Sequence, residues 1–203
     1  MKSYKELAER VYYRKKGNRF ELVSSDRRLS HIGTGRSACA FRINGTGRVL
    51  KVYYPDFHHI AEEEADIYGK LHEIPHFPVL YDAGVNYIVV DYIEGKTFFQ
   101  CLTGGAPIRE SFITEVDKAL QEVRHRQMNP SDIHLHNLIL TPDGQVKIID
   151  PARFNQQKKC TQWDDLKTAY RKLYTKKLFP KKIPAFLLVS ISTLYKHKLI
   201  KLC

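Results

Sequence analysis

Little in this chain points to export, membrane crossing or covalent stapling. Its four cysteines, Cys39, Cys101, Cys160 and Cys203, are scattered without a CxxC pair, which argues against both a zinc site and a disulfide framework. The opening stretch, MKSYKELAERVYYRKKG, carries charge throughout and lacks the apolar core of a secretory signal. The longest uncharged apolar run, Ile183 to Tyr195, is too short to span a bilayer. These absences predict a cytoplasmic protein with reduced thiols and no transmembrane segment. There is no internal repeat and no low-complexity tract. Acidic residues are also in deficit, 22 against 33 Lys and Arg, for a net charge of +11. That balance suits an anionic partner such as nucleotide, nucleic acid, acidic protein or membrane surface. Much of the excess lies late in the chain, from Arg171 and Lys172 to Lys198 and Lys201, where a solvated face of C-terminal helices is the plainest account.

At 203 residues, 43% hydrophobic and 27% charged, the chain fits one domain of two lobes with a proper core. Tyr4, Leu7, Ala8 and Val11 repeat at helical spacing. RRLSHIG, ACAFRI and RVLKVYY read as three consecutive antiparallel strands, with NGTG at 44 to 47 as a tight hairpin turn. HHIAEEEADIYGKL reads as a helix from His58 to Leu71, and PVLYDAG and NYIVVDYI as two further strands. These elements predict a compact N-terminal lobe over residues 1–92. After a loop at Thr103 to Pro107, the positions Phe112, Val116, Ala119, Leu120 and Val123 trace the apolar face of a longer helix. LIL and QVKII, joined by TPDG, read as another hairpin. Two helices near 162–176 and 184–198, separated by Pro180 and Pro184, complete a reduced lobe over residues 93–203. The second of them is expected to be an ordinary core helix, because a membrane-lying helix should separate its faces more cleanly.

Three groups of residues carry candidate chemistry. Gly33 and Gly35, in IGTGRSACAFRI, lie between predicted strands, where a glycine-rich turn lets backbone amides approach phosphate oxygens. The flanking predicted strands argue against a dinucleotide-binding Rossmann turn, which should lead directly into a helix. Lys51 lies in the middle of an apolar strand and must snorkel or meet negative charge. The helix after it offers Glu62, Glu63 and Glu64; Glu64 shares its side with Ile67, Tyr68 and Leu71 and should face inward. Finally, Asp132 and Asn137 in SDIHLHN precede Asp150 in IIDPAR. These supply a carboxylate to position an acceptor hydroxyl and hard oxygen ligands for magnesium.

The ordered set IGTGRSA, VLK, EADIYGKL, YIVVDYIEG, DIHLHN and IID resembles the protein-kinase-like superfamily over roughly Ser30 to Asp165. It is similar to compact bacterial members such as the short serine/threonine kinases of bacilli, and in part to aminoglycoside phosphotransferases, RIO-type kinases and lipopolysaccharide kinases. The resemblance implies an α+β, bilobal fold with a five-stranded antiparallel N-lobe and a mainly helical C-lobe. It implies ATP and Mg2+ as cofactors. Gly33 and Gly35 would cover the ATP phosphates, and Lys51, paired with Glu64, would hold the α and β phosphates. Asp91 to Ile93 would be the hinge that meets adenine through its backbone. Asp132 would be the catalytic aspartate, Asn137 and Asp150 the metal ligands. Asp164 or Asp165 resembles a buried aspartate that braces the catalytic loop, although a helix N-cap describes that position equally well.

The sequence also departs from the family pattern. Pro130 and Ser131 stand where a His and an Arg or Gly are usual, His134 matches the phosphotransferase-like form, and Pro151 replaces the Phe of the DFG triplet. The segment between Asp150 and Trp163 is short and offers no obvious phosphosite, so regulation by activation-loop phosphorylation is not expected. The leading expectation is a serine/threonine protein kinase. Its alternatives are a small-molecule or sugar kinase, and a pseudokinase or binding module whose basic C-terminal surface meets an anionic partner.

Overall fold

The computed structural model describes residues 3–197. They separate into two compact units that divide between Ile93 and Glu94. The whole is mixed α and β, with an antiparallel multistranded sheet and helices.

The first unit opens with helix α1 (Tyr4–Ala8), stabilised by a reciprocal cap in which Ser3 and Glu6 each bond the other's backbone. A hairpin, β1 (Tyr12–Lys16) and β2 (Arg19–Ser24), follows. Its charge-rich strands gave no alternating signal, and the sequence reading contains no strand there. The main sheet holds β3 (Leu29–Thr34), β4 (Ala38–Ile43), β5 (Arg48–Tyr53), β6 (Leu80–Gly84) and β7 (Tyr87–Asp91) in the order β3-β4-β5-β7-β6, all antiparallel. The β4–β5 turn needs Gly45, whose φ of 74° is one that L side chains rarely adopt.

Strand parity divides this sheet into two faces. Cys39, Phe41 and Ile43 of β4 and Leu50 and Val52 of β5 pack with Leu7, Ala8 and Val11, backed by Phe20 and Leu22 of the extra hairpin. The opposite parity carries Ala38, Val49 and Tyr53 toward helix α2 (His58–Leu71), which contributes Ala61 and Tyr68. Each large apolar side chain so buried contributes about 1.5–3 kcal/mol. Lys51 shares the parity of Val49 and Tyr53, so the strand delivers its ammonium to the face that α2 covers.

The second unit begins with a short strand, β8 (Lys96–Thr97), and helix α3 (Phe98–Gly104), capped by Thr97 and Gln100. Thr103 and Gly104, expected in a loop, therefore close a helix, which ends at Gly105 in a left-handed conformation. Helix α4 (Glu110–His125) buries Phe112, Val116, Ala119, Leu120 and Val123. Strands β9 (Leu138–Leu140) and β10 (Val146–Ile148) join β8 in a three-stranded sheet. Gly95 adopts φ 153°, and a Cβ there would meet the Leu140 carbonyl oxygen at 2.4 Å, so only glycine fits against this sheet.

Helix α5 (Gln162–Ala169) is clamped to α4 by Asp117, which accepts from Trp163 Nε1 at 2.7 Å and Lys167 Nζ at 2.8 Å. It continues as a wider turn over Tyr170–Tyr174, where the two tyrosines stack and both hydroxyls bond the backbone of Ile108. Helix α6 (Ala185–Lys196) is not the core helix that its composition suggested. Phe186, Leu187, Val189, Ile191 and Leu194 are all exposed. Among the described residues no helix is long and apolar enough to cross a membrane. Cys39 and Cys101 are buried thiols and Cys160 is partly exposed.

Candidate active site

In the first unit the chemistry gathers at β5 and α2. Lys51 Nζ donates to both Glu64 oxygens, at 2.9 and 2.7 Å, and Tyr53 OH donates to Glu64 Oε2 at 2.5 Å. Glu64 is fully buried, whereas Glu62 and Glu63 on the same turn are exposed. Ala61, Glu64, Tyr68 and Leu71 form one stripe of α2 at helical spacing. A carboxylate on that stripe would be costly without donors, and Lys51 and Tyr53 supply them. The Lys51 side chain keeps 17% of its surface exposed while the ion pair fixes its ammonium. Tyr53 was not singled out in the sequence; only strand parity, shared with Lys51 two residues earlier, could have indicated it.

Gly33 lies on β3 at a register irregularity opposite Ala40, and a Cβ built there meets nothing within 4 Å. Gly35 closes the β3–β4 turn by donating from its N–H to the Ala38 carbonyl at 2.8 Å. Tyr54 OH donates to the Gly35 carbonyl at 3.2 Å. Burial, then a contact with the Cys39 thiol, push the Tyr54 phenol well above the ordinary tyrosine range, so it remains a donor at neutral pH. Neither glycine has positive φ.

Asp91 ends β7. Its N–H donates to the Val79 carbonyl, and its carboxylate accepts from Val79 N–H at 2.8 Å and Tyr81 OH at 2.7 Å. Tyr92 N–H donates to the Gly47 carbonyl at 2.8 Å. The Asp91 side chain is thus engaged by its own sheet, and Ile93 is the last residue of this unit.

The second unit brings Asp132, Asn137 and Asp150 into one framework. Asn137 is buried; its Nδ2 donates to the Asp132 carbonyl at 3.2 Å, and its own carbonyl accepts from Ile149 N–H at 2.9 Å, beside Asp150. Asp132 and Asp150 both adopt left-handed backbone, φ 61° and 59°. Glu73 and Gln127 share this backbone region away from the site, and aspartate is among the residues that enter it most readily. Arg153 Nε lies 3.5 Å from Asp132 Oδ2, and His134 Nε2 lies 4.0 Å from Asp132 Oδ1. Among the described residues no three His, Cys, Asp or Glu side chains gather into a metal cluster of their own. A cation at Asn137 and Asp150 would therefore draw further oxygens from a bound substrate or water.

No protein-family model matches the chain. Over 192 residues, 94% of the chain and 89% of the relative, it is 47% identical to the Bacillus subtilis (strain 168) protein named "Putative serine/threonine-protein kinase YrzF". The chain belongs to this family of short bacterial kinase-like proteins. Shorter similarities tie the family to longer proteins. One is 32% identity over 73 residues, 34% of the chain and 11% of the relative, with "Probable serine/threonine-protein kinase CA_C1728" of Clostridium acetobutylicum. Another is 26% identity over 84 residues, 37% of the chain and 13% of the relative, with "Serine/threonine-protein kinase PrkC" of Bacillus subtilis.

Within this kinase-like frame two features differ from the sequence expectation. Asp164 is exposed and pairs with Lys167, while Asp165 accepts from Thr161 OH and Tyr195 OH. Neither is a buried brace of the catalytic loop; α5 enters with both carboxylates in its first turn, where its dipole favours them. The bracing falls instead to Asn129, whose Nδ2 donates to the Gln156 and Lys158 carbonyls at 2.9 Å each, and whose N–H donates to the Phe154 carbonyl. Phe154 is itself fully buried, so the segment after Asp150 is anchored by an aromatic residue three positions beyond Pro151.

Proposed function

We propose that the chain is an ATP-dependent phosphotransferase, a serine/threonine protein kinase built as one kinase-like domain of two lobes and acting in the cytoplasm. The observation that carries this reading is the buried Glu64, held between Tyr53 and Lys51 so that the lysine is fixed and still partly exposed. The kinase names of its relatives support the same reading.

In this reading Gly33 and Gly35 lie over the nucleotide phosphates and Lys51 binds the α and β phosphates. The backbone from Asp91 to Ile93 meets adenine. Asp132 accepts the proton of the acceptor hydroxyl as its oxygen bonds the γ-phosphorus and the bond to the β-phosphate oxygen breaks, releasing ADP. Asn137 and Asp150 would hold Mg2+, both offering hard oxygens from segments that the Asn137–Ile149 backbone bond brings side by side. Bound there, the ion would neutralise phosphate charge. Arg153, 3.5 Å from Asp132 Oδ2, helps hold that carboxylate in place. Fixing these groups in advance is where catalysis by such a site arises, because the transition state asks mainly for positioning and charge.

A small-hydroxyl acceptor is the second reading, favoured by the stretch from Pro151 to Thr161, which contains neither helix nor strand with which to build a peptide groove. The test is transfer from γ-labelled ATP with magnesium, to the protein itself, to generic protein substrates and to small hydroxyl acceptors. Lys51→Ala and Asp132→Asn are the controls, the latter chosen because Asn tolerates left-handed backbone. Both should lower transfer by about 10²-fold or more. Transfer to small acceptors alone would select the second reading. Tight nucleotide binding with no transfer to any acceptor would make the chain a binding module.

A further inference from the structure

The last 38 residues, Leu166 to Cys203, contain ten Lys or Arg and no Asp or Glu. Nearly all of the +11 net charge therefore resides there, and the preceding 165 residues are close to neutral. Within this segment lies Ile183 to Tyr195, which carries no charge at all. A soluble chain normally buries such a run, and contiguous exposed apolar patches mark interaction sites. In α6, however, Phe186 is 68% exposed, Val189 53% and Leu187 43%, and Ser190 and Thr193 are exposed with them.

The helix is anchored to its unit by other groups. Ile183 N–H donates to the Leu102 carbonyl, Leu188 is half-buried, and Tyr195 OH donates to Asp165. Just before it, Leu178 projects almost fully, 96% exposed, between Lys177 and Phe179. Lys176, Lys177, Lys181 and Lys182 are exposed around it. Lys181 donates to the Tyr174 carbonyl, which holds its ammonium in position, and the first carbons of Lys182 lie beside Gly105.

We propose that α6 and the Lys176–Lys182 loop form a docking surface for an anionic lipid bilayer, with Leu178, Phe186 and Val189 entering the headgroup boundary and the lysines meeting lipid phosphates. Both halves of the feature are needed for this assignment. Nucleic acid would account for the charge and for one aromatic, Phe186, on which a base stacks, but gives no reason for the exposed aliphatic Leu178, Val189 and Ile191. A second copy of the chain would cover the apolar residues but would bring two strongly basic segments together. An anionic bilayer satisfies both, since apolar insertion and attraction of basic residues to acidic lipids add.

The full chain should be sedimented with vesicles of phosphatidylcholine alone and with vesicles containing about one-third phosphatidylglycerol. Binding should be at least about tenfold stronger to the acidic vesicles and should fall when salt is raised to about 0.5 M. The surface variants F186Q/V189Q and K176E/K177E, with circular dichroism to establish that they fold as the parent does, should each lose about tenfold or more. Absence of binding would overturn the proposal, as would equal binding to both vesicles. Loss on K176E/K177E with none on F186Q/V189Q would overturn it in favour of a polyanion such as nucleic acid. A dimer in solution that F186Q/V189Q converts to monomer, without lipid binding, would assign the face to a second copy. None of these outcomes depends on phosphoryl transfer.

Discussion

Tyr53 gives Glu64 a second donor besides Lys51, and the arrangement makes the lysine's position depend on a phenol two residues away on the same strand. Removing that phenol leaves Glu64 Oε2, fully buried, with less hydrogen bonding. Tyr53→Phe should destabilise the chain by about 1.5–3 kcal/mol, the range for a hydrogen bond to a charged group, measured by urea unfolding, and should weaken ATP binding severalfold through a less firmly held Lys51. Unchanged stability together with unchanged affinity would show that Lys51 alone organises the carboxylate. Lys51 and Glu64 were legible as partners because an apolar strand with one lysine and a helix with one inward acid leave few other solutions. Tyr53, Asn129 and Arg153 were not legible. Each acts through a contact with a residue or backbone group whose proximity depends on register or loop path.

Among the elements, α5 and α6 are tied by a phenol–carboxylate contact, Tyr195 OH donating to Asp165. Burial, and then the bond it donates to Asp165, push the Tyr195 phenol up from 10.0 to about 12, with the nearby Cys160 adding to the rise. Below pH 10 the phenol is protonated in both folded and unfolded chains, and the contribution is complete. Between pH 10 and 12 the unfolded phenol ionises while the folded one retains its proton, so stability falls across that window. Tyr195→Phe should therefore lose less stability than the parent as pH rises from 10 to 12, read from denaturation midpoints at stepped pH. Equal losses would remove Tyr195 from the transition. The same elements show where periodicity misleads. The apolar count of α6 suggested a core helix, yet the unit's core is already filled by α4, Phe98 and Phe154, and the remaining apolar side chains of α6 face outward. The β1–β2 hairpin escaped notice for the converse reason: its outer face is charged and only Tyr13, Phe20 and Leu22 reach the core.

For the molecule as a whole, nucleotide binding should register as stability, because a ligand that binds only the folded chain shifts unfolding by mass action. With MgATP at about 100 times its dissociation constant the gain is about 2.7 kcal/mol. It should shrink or disappear in Lys51→Ala at the same concentration, read by thermal unfolding. A parent chain that gains nothing at millimolar MgATP would argue against the phosphotransferase reading itself. The charge distribution is a second property of the whole, with a near-neutral body and a basic C-terminal segment. This asymmetry makes association through that segment sensitive to salt.

Sequence alone determined the order of the elements from Leu29 to Asp91, the long helix α4 with the hairpin after it, and the pairing of Lys51 with an acid on the following helix, but neither β8 nor α3. Periods of two and 3.6, and the cost of burying an unpartnered charge, admit few arrangements of those residues. Kinase-like membership was legible in the same way, from ordered motifs that are individually weak. Tertiary structure decided which groups bear on those residues. Register put Tyr53 on Glu64, and loop path put Asn129 on the Gln156 and Lys158 carbonyls and turned Asp132 and Asp150 into left-handed backbone. It also decided that α6 faces outward, because burial depends on what else has already filled the core and not on the composition of one helix.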